Sequence, residues 1–196
     1  MKNLLRPFSI LLLTIQKQAK IVLRNVSKVV VTIPNFESMI GDGRNMSEFK
    51  DKEFDIVFSN SVLEHVGDYE QQHKMAEEVN RVGKRLFLQT PNLFFPIEPH
   101  FLLPFFQFLP LNSKVFLINH FTIGWYQKVP DKQEAKEIVS SIKLLTEKEI
   151  TTLFPGAIIY KEKLFGLTKS FVVLEGWAHL ALCGIKSATM NIPDSP

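Results

Sequence analysis

Three stretches of the 196-residue chain place ligand-binding or reactive side chains where turns and strand ends are expected. The first is "GDGRN", Gly41 to Asn45. Asp42 offers a carboxylate that can accept a hydrogen bond from an exocyclic amine, and Gly41 and Gly43 let the backbone turn sharply and approach a ligand. The same pentapeptide also reads as a surface turn closed by an Asx bond. The second stretch is "SNSVLEHV", in which Ser59, Asn60 and Ser61 end an apolar run and Glu64 and His65 follow one turn later. Hydroxyls, an amide and backbone groups at a strand end can line a ligand, and His65 can serve as a general base near neutral pH. Packing, or capping of a short helix, is the alternative for His65. The third runs from "QTPN" to "FPIEPHF", where Glu98 and His100 sit among aromatic residues whose burial would shift their protonation. Glu64, His65 and His73 have neither an HExxH spacing nor a cysteine partner, so no metal site is expected.

These side chains need elements to hold them. "KIVLRNVSKVVVTI", Lys20 to Ile33, is rich in β-branched residues and reads as one or two buried strands. "FESMI" is a short strand ending at the acidic loop, and the unbroken apolar run Asp55 to Phe58 suits a strand covered on both faces. Tyr69 to Val82 reads as a helix, with Met75, Val79 and Val82 on one stripe, Asp68 as N-cap and Gly83 as a left-handed C-terminal residue. "KRLFLQT" is the next strand, and strand–helix–strand with short connections implies parallel pairing. Prolines in Pro91 to Phe121 forbid one long helix there. Thr146 to Phe154 has capping-box spacing, and Ala157 to Trp177 reads as two antiparallel strands around "GLTK". The whole is an α/β, Rossmann-like doubly wound sheet, mostly parallel with an antiparallel C-terminal strand pair. In such sheets the ligand lies beyond the carboxyl ends of the strands.

Length and composition bound the rest. A hydrophobic fraction of 45% with 17 Phe argues for a packed domain rather than disorder. A net charge of +3, without a dense basic block, gives no positive signal for nucleic acid. The single cysteine, Cys183, excludes an intramolecular disulfide and fits a reducing, cytoplasmic compartment. The apolar run Phe8 to Ile15 is shorter than the ~20 residues a bilayer crossing takes, and reads as a buried helix or strand. The expected organisation is an apolar N-terminal segment (1–19), one domain (20–177) carrying an aromatic insertion (91–121), and a tail (178–196). If exposed, the stretch 93–118 would mark a membrane or protein contact.

In combination, "GDGRNMSEFKDKEFDIVFSNSVLEHV", "AEEVNRVGKRLFLQTPN" and "LLTEKEITTLFPGAIIYKEKLFGLTKSFVVLEGW" resemble the class I S-adenosylmethionine-dependent methyltransferases of the type 11 kind. The likeness runs from about Lys20 to Trp177. It implies S-adenosyl-L-methionine as cofactor, Asp42 at its adenine end with Gly43 shaping the loop, and Ser59, Asn60 and Ser61 along the methionine side. His65 would lie near the transferred methyl, and the acceptor would be a small or otherwise unspecified molecule. Two features of the family are missing here. "LLLTIQKQAKIVL" contains no glycine, where the family has a glycine-rich loop after its first strand, and "LRNVSK" offers Asn25 in place of the acid that grips the ribose. The fold is therefore expected to be N-terminally incomplete, and the alternatives to an active enzyme are a non-catalytic methyltransferase-like binding protein or a peripheral membrane protein.

Overall fold

The computed structural model describes residues 9–16, 18–27, 30 and 34–177; Cys183 and the tail lie outside them. The N-terminal apolar run is a strand, β1 (Ser9–Gln16), followed by β2 (Gln18–Asn25) and β3 (Phe36–Ile40). β4 (Ile56–Asn60), α1 (Tyr69–Val82) and β5 (Leu86–Pro91) form the expected crossover unit, with β4 and β5 parallel. A two-residue pair, β6 (Ile97–Glu98) and β7 (Leu103–Pro104), opens the insertion, which continues into α2 (Leu111–His120) and α3 (Lys132–Ser140). α4 (Glu147–Leu153), β8 (Ile158–Leu164) and β9 (Leu167–Glu175) complete the described residues.

The main sheet has seven strands in the order β3-β2-β1-β4-β5-β9-β8. The pairings run β2, β3, β4, β5 and β8 in one direction and β1 and β9 in the other. The sheet is thus mostly parallel in strand direction, and its C-terminal pair is antiparallel as expected. β1 is the exception to the Rossmann-like pattern. Gln16 pairs with Gln18, Ser9 with Asn25, and Ile10 with Ser59. β1 therefore begins at the edge where β2, β3 and β4 end, and whatever follows β1 leaves from the opposite edge. A glycine loop after this strand could not reach the ligand side.

Alternate residues of the strands face one core. Leu12, Val22, Val57, Leu86, Leu88, Phe171 and Val173 meet Met75, Ala76, Val79 and Val82 of α1 and Ile150 and Leu153 of α4. Each such side chain, fully buried, stabilises the fold by roughly 1.5–3 kcal/mol. Phe58 and Phe87, on the other face, stack at 5.2 Å. Asp68 caps α1 by accepting from the Gln71 N–H at 3.1 Å. Gly83 is not the left-handed residue its position suggested: at φ −96 and ψ 137 it is extended, and Val57 approaches where a Cβ would stand. Its smallness serves packing under β4, not a left-handed turn. Thr146 and Glu149 make the complete capping box.

The insertion has an apolar core of its own, Phe101, Phe106, Ile118, Ile123 and Val139. Gly124 sits there with φ +56, and an added Cβ would lie 2.5 Å from the Phe101 carbonyl. Other insertion aromatics stay at the surface: Phe94, Phe105, Phe108, Phe116 and Phe121 are each more than half exposed. Among the described residues no helix is long and apolar enough to cross a membrane.

Candidate functional site

β2 and β3 end side by side and β4 ends one strand away, across the start of β1, so Asn25, the loop after Ile40 and the Ser59–Ser61 tip lie along one edge of the sheet. Arg24, which the sequence reading passed over, builds the acidic loop there. Although only 5% exposed, its guanidinium donates to the Asn45 carbonyl at 2.7 Å and the Asp42 carbonyl at 3.2 Å, and it pairs with Glu48. Burial lowers its pKa, against the pull of Asp42 and Glu78. A Cβ on Gly41 would lie 2.3 Å from that guanidinium, so a larger residue here would displace the Arg24 side chain from its bonds to the loop.

Asp42 does close an Asx turn, accepting from the Arg44 N–H at 2.9 Å, and its carboxylate also accepts from Arg44 Nε. The Arg44 side-chain bond, the largest influence, holds the Asp42 pKa below its usual value. Arg44 Nη1 donates to the Val66 carbonyl at 3.2 Å and to Gln71 at 3.0 Å, tying this loop to the segment that carries His65. Asp42 and Arg44 are both more than a third exposed, and an ion pair so exposed contributes only ~0–1 kcal/mol. The carboxylate is engaged at little energetic cost to a competing donor. Gly43 is different. The Ile10 side chain comes within 2.6 Å of where its Cβ would be, with Met75 behind, so this glycine makes room for β1.

The strand tip is partly free. Ser59 is fully buried and its hydroxyl has no partner among the described residues, and neither does the buried Nδ2 of Asn25. Asn60 is exposed at the end of β4. Ser61 takes a left-handed φ of 52, and both its N–H (2.9 Å, to the Gln89 carbonyl) and its hydroxyl (3.1 Å, to the Gln89 side chain) bind β5. Unsatisfied hydroxyl and amide groups at the ends of β2 and β4, on either side of the start of β1, can bind a polar ligand. Asn25, Asp42 and the 59–61 tip thus offer polar groups toward this edge, while Gly43 faces protein.

One turn on, a 3-10 turn, Leu63–His65, carries Glu64 and His65 toward the insertion. His65 Nε2 lies 3.0 Å from His100 Nε2, with the rings at 85°. His100 Nδ1 is 2.6 Å from the carboxylate of Glu98, which is 2% exposed and also accepts from the backbone N–H of His100 and Phe101, both at 2.7 Å. Glu64 is fully buried and accepts from the Thr90 hydroxyl at 2.9 Å. Burial pushes its pKa up to about 7, and burial together with neighbouring His100 pushes that of His65 down to about 3. A group that weakly basic is a poor proton acceptor by itself at neutral pH. His100 thus joins the site beside His65. The hint in the sequence was "EPHF", whose acid and imidazole are two residues apart, but nothing in it placed them against a residue 35 positions earlier. His73 does not belong: it pairs with Glu77 on the surface of α1.

Beside Glu98, a cavity of about 220 Å³ opens between the insertion and the 139–144 segment. Glu98, Gln107, Lys114 and Lys143 line it with Phe101 and Phe106.

Residues 9–86 match the family model of the methyltransferase domain. The resemblance drawn from sequence motifs is thus borne out for the segment bearing the strand tips, and that segment is methyltransferase-type in sequence. Two uncharacterised proteins of Mycobacterium tuberculosis, one from each of two strains, are 28% identical over 92 residues, 47% of this chain and 31% of theirs. The chain spans about a third of the length of those curated relatives. Among solved structures, a SAM-dependent methyltransferase from Methanosarcina mazei is 18% identical over 71% of this chain and 66% of its own, with a TM-score of 0.38. The PH0226 protein of Pyrococcus horikoshii is also 18% identical, over 71% of this chain and 58% of its own, with a TM-score of 0.40.

Proposed function

We propose that the chain takes part in S-adenosylmethionine-dependent methyl transfer to a small-molecule acceptor, in a cytoplasmic setting. The supporting observation is the convergence of Asn25, Asp42 and Ser59–Ser61 at one sheet edge, within the segment that matches methyltransferase domains. When bound, the cofactor supplies an electrophilic methyl group. Asn25 Nδ2 would donate to a sugar hydroxyl, Asp42 would accept from the base amine in exchange for Arg44, and Ser59 with Asn60 would line the amino-acid end. The acceptor would occupy the cavity beside Glu98, where Lys114 and Lys143 favour a polar or anionic molecule. Rate enhancement of such a displacement comes mostly from alignment of the two reactants. The protein's part is to hold the acceptor against the strand tips, with His100, oriented by Glu98 and facing His65, as the group that would take up its proton.

Titration calorimetry with S-adenosylmethionine tests this, a saturable heat at up to millimolar ligand being expected and its absence overturning the reading. Asp42→Ala should weaken that binding by about ten- to a hundredfold, the worth of one hydrogen bond to a charged group. Unchanged affinity would remove Asp42 from the site.

The exposed aromatic residues of the insertion favour a second reading, a non-catalytic protein of the same fold that docks on a membrane or a partner through 93–118.

A further inference from the structure

We propose that Glu64, His65 and His100 form a binding site for a divalent transition-metal ion of the zinc class, with Glu98 as the residue that positions His100. The site stands on its own geometry, whether or not the chain transfers methyl groups.

One ligand atom from each of the three residues lies within 4.8 Å of the others. Ligands at 2.0–2.1 Å from a tetrahedral ion stand ~3.3 Å apart, so the two imidazole nitrogens at 3.0 Å already have nearly that spacing. The carboxylate needs to close by at most about 1.5 Å, which rotation of its side chain covers. The donor set, two imidazoles and a carboxylate, is one found at zinc sites that keep a position open for water or substrate.

Two further observations point to an ion. Glu64 is completely buried, and its second oxygen, Oε1, has no hydrogen-bond partner among the described residues. A buried carboxyl oxygen left without a partner in that setting is costly, and a cation would answer it. His100 also carries the arrangement typical of metal-bound histidine: its Nδ1 donates to Glu98, which fixes the tautomer and leaves the Nε2 lone pair facing His65. Glu98 is itself fixed by two backbone N–H groups, and the Glu64 carboxylate is steadied by Thr90. Without metal, a proton must join the two facing Nε2 atoms, and an ion would displace it.

The experiment is a titration of the metal-stripped full chain with Co²⁺, followed by visible ligand-field absorption, and then by competition with Zn²⁺. One equivalent should give intense bands of a tetrahedral or five-coordinate N/O site, which zinc abolishes. His100→Ala and Glu64→Gln should each weaken Co²⁺ binding at least a hundredfold. Glu98→Gln should weaken it about ten- to a hundredfold, as loss of an outer-shell partner does. His73→Ala should leave it unchanged. Circular dichroism of each variant separates lost ligation from lost folding, and Glu64→Gln, which keeps the shape, serves if His100→Ala does not fold. Absence of a saturable cobalt spectrum in the wild-type chain, or affinities in folded Glu64→Gln and His100→Ala equal to wild type, overturns the proposal. Both readouts are taken without S-adenosylmethionine, so a failed methyl-transfer reading and a failed metal site give different results.

Discussion

Glu64 and His65 are adjacent in the chain and titrate against each other. Glu64 is protonated in the fold up to about pH 7 but ionises near 4.5 once unfolded, so its contribution favours the fold at low pH and is lost as pH rises through that window. His65 has the opposite sign: neutral in the fold down to about pH 3, it charges near 6.5 when unfolded, so its contribution falls away as pH drops below 6.5. The two offset one another between about pH 4.5 and 6.5. Glu64→Gln removes one side of the balance. Its urea midpoint should rise with pH across that window by the equivalent of roughly 1 kcal/mol per pH unit more than the wild type's. Parallel curves would mean that Glu64 is not held protonated. The identities of Asp42, Ser59–Ser61, Glu64 and His65 were legible from residue type at strand ends. Arg24 and His100 were not: a buried arginine looks like any surface arginine in a β-rich run, and the partner of His65 is set by how the insertion folds back.

At the scale of elements, local chemistry was the better guide. Asp68 and Thr146 cap α1 and α4 because each side-chain oxygen reaches an N–H that no helical carbonyl can satisfy. Asp68→Ala and Thr146→Ala should each cost about 1 kcal/mol in thermal or chemical unfolding, with no change in any ligand affinity. α3 carries the same signals, an Asp131 cap with Ala135 and Val139 one turn apart, but over nine residues they make too short a stripe to mark a helix. Strand existence was legible and strand direction was not. β-branched content marks strand from Lys20 on and leaves Phe8 to Ile15 open between helix and strand, and composition says nothing about whether a hairpin or a crossover joins β1 to β2. Gly83 misled for a related reason, since a glycine after a helix serves equally for a left-handed turn or for a close approach by Val57.

For the whole molecule, the placement of the insertion's aromatics decides what sort of surface it shows. Phe101 and Phe106 are buried in its core, while Phe94, Phe105, Phe108 and Phe116 lie outward. Sequence fixes how many aromatics there are, and only the fold sorts them. Should this surface meet lipid, the chain will float with liposomes, and Phe105→Asp with Phe108→Asp will return it to the bottom fraction. Wild-type protein remaining wholly at the bottom would remove the membrane contact and leave a protein partner for the second reading.

His65 is flanked in the chain by Leu63 and Val66 of the cluster under the sheet, and His100 by Phe101 of the cluster inside the insertion. Their contact works as a clasp across a seam. Seams between separately packed units open with less free energy than either unit needs to melt. Amide hydrogens around 97–106 should then exchange faster than those of β4 and β5 in the same molecule, and breaking the clasp at His100 should widen that gap while the sheet's own protection stays where it was.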